Sequence, residues 1–208
     1  MPMLQIQVAS GASSASTAPN TAINARAGQL GDAIVSELQP RYYEATYRKT
    51  MFSARAALQA TSLVGVTMVG LSLWNSSTDK NLVITKLGGN IVASSAPQTG
   101  VVFSSGTGQL VAPTTPTTVV VKNGFIGAQV GAGIAYSTGT YVNAPTASFD
   151  LMHNTAAIAT TGIDPGYYID VEGSIVIQPQ CYMAFAAVGA AGAAASNNHW
   201  IMWTEVPI

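Results

Sequence analysis

Cys181-Tyr-Met-Ala-Phe-Ala-Ala-Val188 is the stretch that decides the fold. In an extended chain successive side chains point to opposite faces. Cys181, Met183, Phe185 and Ala187 therefore share one face, and Tyr182, Ala184, Ala186 and Val188 the other. Both faces are apolar, so the strand is buried on both sides or abuts a neighbouring subunit. Just upstream, Ser174-Ile-Val-Ile-Gln178 and a turn through Pro179-Gln180 read as the first arm of a hairpin that closes on it. Downstream, His199-Trp-Ile-Met-Trp-Thr-Glu-Val206 sets Trp200, Met202, Thr204 and Val206 against His199, Ile201, Trp203 and Glu205.

The same period runs back toward residue 61. Thr61 to Trp74 is rich in Val, Thr, Leu and Met, and Asn75 to Asn81 is a polar turn. Leu82 to Leu87 reads as a strand ended by Gly88-Gly89, and Val101–Phe103, Thr117–Val121, Gly124–Val130 and Ile134–Val142 continue the series. Asp164-Pro165-Gly166 is a turn, because proline presets the first central dihedral and glycine accepts a positive one; Tyr167–Val171 follows it. Short strands at this spacing, separated by Gly and Pro turns, predict an all-β, jelly-roll-type sandwich over residues 61–208.

Residues 1–60 read differently, as an extended or partly helical N-terminal arm. Residues 9–22 are low in complexity and bury too little apolar area to order themselves. Ile23, Leu30, Ile34 and Leu38 lie close to a helical stripe that Pro40 ends. The charged, aromatic run from Arg41 to Arg48 favours extended structure. Its helical alternative would bring Tyr43 and Tyr47 together at i, i+4.

Composition narrows the function. There are 8 Lys+Arg against 9 Asp+Glu, a net charge of −1, and charged residues make up 8% of the chain, where about 25% is usual. Ala, Gly, Ser and Thr supply 91 of the 208 residues. A protein that binds nucleic acid by neutralising phosphates needs a basic surplus, and none exists. With Cys181 as the single cysteine no disulfide framework is possible. The N-terminus lacks a basic region followed by a long apolar stretch, so no secretory signal is expected. The longest charge-free runs are broken by Gly, Pro and polar residues, and no membrane span is expected. A chain that forgoes surface charge is expected to bury much of its surface in an assembly.

No nucleophile elbow, phosphate loop, dinucleotide fingerprint or zinc-protease motif is present. His153 and His199 could each be drawn into a triad with a serine and Asp150 or Asp164, but with 18 serines such a match carries no information. Cys181 sits in apolar sequence, which raises a thiol pKa and favours packing over nucleophilic attack. Asp164, Asp170 and Glu172 form the densest acidic group, yet without a calcium-loop spacing. Asn75-Ser76-Ser77 matches a glycosylation acceptor, a match expected to be empty where no secretory signal is expected. Trp200 and Trp203, with Tyr167 and Tyr168, could stack on sugars, but the two tryptophans fall on opposite faces of one strand. The expectation is a non-enzyme without cofactor or metal, and without nucleic acid, membrane or a small-molecule substrate as partner.

Four segments carry a resemblance: Val-Ser-Glu-Leu-x-x-Arg-Tyr-Tyr-Glu-Ala-x-Tyr-Arg (Val35–Arg48), Leu-x-Leu-x-Asn (Leu71–Asn75), Lys-Asn-Leu-Val-Ile (Lys80–Ile84) and Trp-Thr-Glu-Val-Pro (Trp203–Pro207). In these the chain resembles a family of tailed-bacteriophage virion structural proteins. The resemblance implies a β-rich homotrimer, made in the host cytoplasm, that decorates or cements the capsid surface. Its partners would be copies of itself and the major capsid protein or other virion proteins. The alternative is a tail-fibre or host-attachment protein that binds a cell-surface glycan. On the capsid reading Arg41, Tyr42, Tyr43, Glu44, Tyr47, Arg48, Lys49 and Arg55 form the docking segment, and Met183, Phe185, Trp200 and Trp203 the subunit interface.

Overall fold

A computed structural model describes residues 5–7, 22–24, 41–93, 100–153, 166–188 and 196–208. The chain divides into two compact units, residues 1–44 and 45–208. In the first, β1 (Gln5–Gln7) pairs antiparallel with β2 (Ala22–Asn24). Ile23 is thus in a strand rather than at the start of a helix, and residues 25–38 of that expected helix lie outside the described residues.

The second unit begins at Ala45, so the turn at residues 48–50 and the strand after it belong to that unit. The helical alternative for the tyrosine run is the one formed, as the single turn α1 (Tyr43–Tyr47). It closes when Thr50 N and Thr50 Oγ1 both donate to Ala45 O at 3.0 Å, with Lys49 held in the left-handed region at φ 62°. This reversal feeds the chain into β3 (Met51–Arg55), whose Phe52 and Ala54 sit in the core.

Ten further strands follow: β4 (Thr67–Asn75), β5 (Lys80–Ala93), β6 (Gly100–Gly106), β7 (Thr114–Val119), β8 (Val121–Asn123), β9 (Gly133–Thr140), β10 (Thr146–His153), β11 (Tyr167–Ile177), β12 (Tyr182–Ala187) and β13 (Ser196–Pro207). They make a six-stranded sheet, β10-β6-β12-β4-β9-β7, and a five-stranded sheet, β11-β5-β13-β3-β8. Four antiparallel pairings nest inside one another: β3 with β13, β4 with β12, β5 with β11 and β6 with β10. Nested pairs alternating between two layers are the wrapping of a jelly roll. β7, β8 and β9 are an insertion between its fourth and fifth strands; β9 and β7 widen one sheet and β8 the other.

The layers meet over Leu71, Leu73, Phe103, Met183 and Phe185 from one side and Leu82, Ile84, Leu87, Ile201 and Trp203 from the other. Each such side chain contributes about 1.5–3 kcal/mol when fully buried. A second cluster lies on the other side of β12, where Tyr182, Ala184 and Ala186 pack with Met68, Trp74, Val102, Tyr136 and Tyr141. The double-sided burial expected of this strand is therefore met within one chain.

Three sequence expectations change. The hairpin of 174–178 with 181–188 does not form, because β11 pairs with β5 at one sheet's edge while β12 pairs with β4 and β6 in the middle of the other. Asn75 takes the place of the missing partner. Its carbonyl accepts from Gln180 N at 3.1 Å and its amide donates to Cys181 O at 3.0 Å. Its buried side chain donates to Lys80 O at 2.8 Å and Ile177 O at 3.0 Å and accepts from Ser77 N at 3.0 Å.

Gly88-Gly89 does not end a strand. β5 continues through both residues, opposite Trp200 and His199. A Cβ at Gly88 would lie 2.6 Å from the Trp200 ring, so glycine here makes room for an indole. Gly124–Val130 is a loop rather than a strand: Asn123 Oδ1 accepts from Phe125 N at 2.8 Å and Ala128 N donates to Phe125 O at 3.0 Å, turning the chain over. Of the Asp164-Pro165-Gly166 turn, the first two residues lie outside the described residues.

Removing the Asn75 side chain leaves two carbonyls and one amide without their buried partner. Asn75→Ala is expected to lower the unfolding free energy by about 2–4 kcal/mol, read from urea denaturation.

Candidate functional site

The two sheets differ in charge. Strands β4, β6, β7, β9, β10 and β12 carry no Lys or Arg, and Asp150 is their one carboxylate. Every Lys and Arg from residue 45 onward lies on the five-stranded sheet or in the turn entering it: Arg48, Lys49, Arg55, Lys80, Lys86 and Lys122.

His199 is 1% exposed. Its Nε2 lies 3.2 Å from Thr61 Oγ1, its Nδ1 2.8 Å from the Tyr167 hydroxyl, and its ring stacks on Phe185 at 4.7 Å. Asn197 Nδ2 donates to Thr61 Oγ1 at 2.8 Å and extends the network. Burial lowers the His199 pKa to about 3 and pushes the Tyr167 phenol up. The enclosed imidazole lies between the layers, against Phe185 of the other sheet. His153 ends β10, and its side chain and Asp164 lie outside the described residues.

Cys181 is half-buried, and burial pushes its thiol pKa up. Asp170 lies 3.7 Å from Lys86 and its Oδ1 accepts from Glu172 N at 3.2 Å. Among the described residues no group of three His, Cys, Asp or Glu could hold a metal ion, and no helix is long and apolar enough to cross a membrane. Asn75 is fully buried with its amide engaged, so it is closed to glycosylation.

Met183, Phe185 and Trp203 are each 0% exposed within the single chain. They belong to the sandwich core and not to a subunit interface, because the jelly roll brings the opposing sheet onto that face. Trp200 does lie on the outer side of the five-stranded sheet, 5.8 Å from Tyr168. The register places Tyr168, Gly88, Trp200 and Arg55 in one row, with Asp170, Lys86, Met202, Ser53 and Lys122 in the next. A groove of ≈ 440 Å³ beside Trp200 is lined by Ser53, Arg55, Val120, Lys122 and Met202.

Within the second unit the expected docking residues line different concavities, Arg48 and Lys49 one and Arg55 another. Arg41, Tyr42, Tyr43 and Glu44 belong to the unit of residues 1–44, where the Arg41 guanidinium lies 5.4 Å from the Tyr42 ring centre. Tyr47 meets Phe125 edge-on at 6.5 Å. Arg48 and Lys49 line a cavity of ≈ 550 Å³, joined by Lys80 from β5. Arg55 lies elsewhere on the sheet, donating from Nε to Asn198 Oδ1 at 3.0 Å.

Sequence reading missed two features. One is Lys80 as a neighbour of Arg48 and Lys49, which only the β5–β13 pairing creates. The other is a set of exposed apolar side chains: Val66, Leu110, Val111 and Val142 in the loops over the six-stranded sheet, and Ile126 and Val130 in the β8–β9 loop. The first set is drawn together as Tyr141 N donates to Val66 O at 2.8 Å, Val142 N to Gln109 Oε1 at 2.9 Å and Gln109 Nε2 to Val111 O at 2.7 Å.

No family model matches the chain, and no curated protein or solved structure matches it either.

Because folded His199 stays neutral while the unfolded imidazole protonates below about pH 6.5, the unfolded state binds more protons as pH falls from there toward 3. Stability is therefore lost across that window. Urea midpoints at pH 7.5 and 4.5 should show wild type losing about 2 kcal/mol more than His199→Gln over the same interval.

Proposed function

We propose that this protein is a structural subunit of a tailed-phage virion that decorates or cements the capsid by packing against copies of itself, as a homotrimer, and against other virion proteins. The observation that carries the reading is the cation-free six-stranded side, with Asp150 as its one strand carboxylate and with Val66, Leu110, Val111 and Val142 exposed at 46%, 68%, 62% and 61%. A surface with so few charges presents little like-charge repulsion to its own copy and costs little to desolvate. Four clustered aliphatic side chains then gain about 25 cal/mol for each Å² of apolar surface covered. The strand resemblance at Leu71–Asn75, Lys80–Ile84 and Trp203–Pro207 supports the same class, since these segments are the ones that close β4, open β5 and finish β13.

A second reading, attachment to a host glycan, is favoured by the Tyr168–Trp200 pair, in which Tyr168 is 58% exposed. It ranks second because the rings are tilted by 43° and Lys86 Nζ already lies 5.4 Å from the Tyr168 ring centre. Glycan-array binding lost in Trp200→Ala would put it first.

Light scattering of the purified full chain is expected to give a trimer, and Leu110→Lys/Val142→Glu a monomer with unchanged circular dichroism. A wild-type monomer would sink the self-packing reading, and antibody labelling of particles that misses the head surface would sink the capsid location.

A further inference from the structure

The cavity beside the β8–β9 loop shares no residue with the aliphatic patch above. Its lining brings together Arg48, Lys49 and Lys80 with a single carboxylate, Glu205. That carboxylate is consumed from below: Oε1 accepts from Ala132 N at 2.6 Å and Gly133 N at 3.0 Å, and Oε2 lies 3.3 Å from Lys80 Nζ. The Glu205 side chain is 3% exposed while that of Lys80 is 40% exposed, so the ammonium and not the carboxylate meets an incoming group.

Val130, in the lining, is 69% exposed, and Ile126, next in the chain to Gly127 of the lining, is 96% exposed. Phe125 lies under Lys49 Nζ, 5.5 Å from its ring centre. The loop is not a loose excursion. Asn123 Nδ2 donates to Gln129 O at 3.2 Å and to Lys49 O at 2.9 Å, and its Oδ1 accepts from Phe125 N. One asparagine thus brackets the cation and the apolar tip into a single preorganised unit.

We infer that this cavity and loop are the docking site for an acidic, apolar segment of a partner protein, whose carboxylates meet Lys49 and Lys80 while an aliphatic side chain covers Ile126 and Val130. Charge complementarity selects the carboxylates. The exposed isoleucine selects a protein segment over a free phosphate or a nucleic acid, neither of which has aliphatic surface to offer it. The cations line a concavity, which selects an inserted segment over a flat anionic membrane. The inference supplies the partner chemistry for the docking step of the proposed virion role and rests on that reading.

The test uses fluorescence anisotropy with a labelled short peptide of alternating Glu and Leu. It is run on the full chain and repeated on Leu110→Lys/Val142→Glu, so that failure of self-packing leaves this measurement intact. The Glu-Leu peptide is expected to bind, more weakly at higher salt, and Lys49→Glu and Ile126→Ser are each expected to weaken it roughly tenfold. Both substitutions are at exposed positions, and circular dichroism checks that they leave the fold unchanged. Equal binding of a Gln-Leu or a Glu-Ser peptide would overturn the proposal. So would unchanged affinity in both variants, or binding to phosphatidylserine vesicles in place of the peptide.

Discussion

A strand with apolar side chains on both faces cannot rest at a surface, and the body of the protein is arranged around that demand. β12 places Met183 and Phe185 between the sheets and Tyr182, Ala184 and Ala186 on the far side of its own sheet. The inner demand is met by the five-stranded layer. The outer one is met by loops: Trp74 Nε1 donates to Gln109 O at 2.9 Å, and the Tyr141 and Tyr182 rings stack at 3.9 Å. Covering β12 this way pushes Leu110, Val111 and Val142 outward, so the uncharged aliphatic patch follows from the solution to an internal packing problem.

The buried polar groups serve the same end. Asn75 substitutes for a hairpin partner where the chain passes between layers, and His199 bridges Thr61 and Tyr167 across the core. Glu205 holds the 131–133 segment through two backbone amides, at a place where Gly131 leaves no room for a side chain. In each case several hydrogen bonds offset the cost of burying one polar side chain. Histidine, asparagine and glutamate are residues one searches for chemistry, and here they fasten loops and layers.

Segregated charge gives the sandwich two distinct sides. The six-stranded sheet is free of cations, whereas the five-stranded sheet and its entry turn hold every basic residue of the body. One protein could then meet like and unlike neighbours without the two contacts competing. The proposed self-packing and the proposed acidic-segment site use opposite ends of this polarity.

Alternation along the chain was enough to read β structure, the opposed faces of Trp200 and Trp203, the two-sided burial of 181–188 and the raised thiol of Cys181. These depend on neighbours one or two residues apart, which a sequence displays directly. It was not enough to read partners. Tyr182 could have closed a hairpin on residues 174–178, and it pairs instead with Trp74 and Gly106. Gly88-Gly89 looked like a stop signal until Trp200 lay across it, and Lys80 became a neighbour of Lys49 only through the wrapping of β5 and β13 onto β3. The reason is physical: pleat period is a property of consecutive residues, while pairing, cavity lining and the sorting of charge are set by contacts between residues tens of positions apart, chosen by which sheet each strand completes.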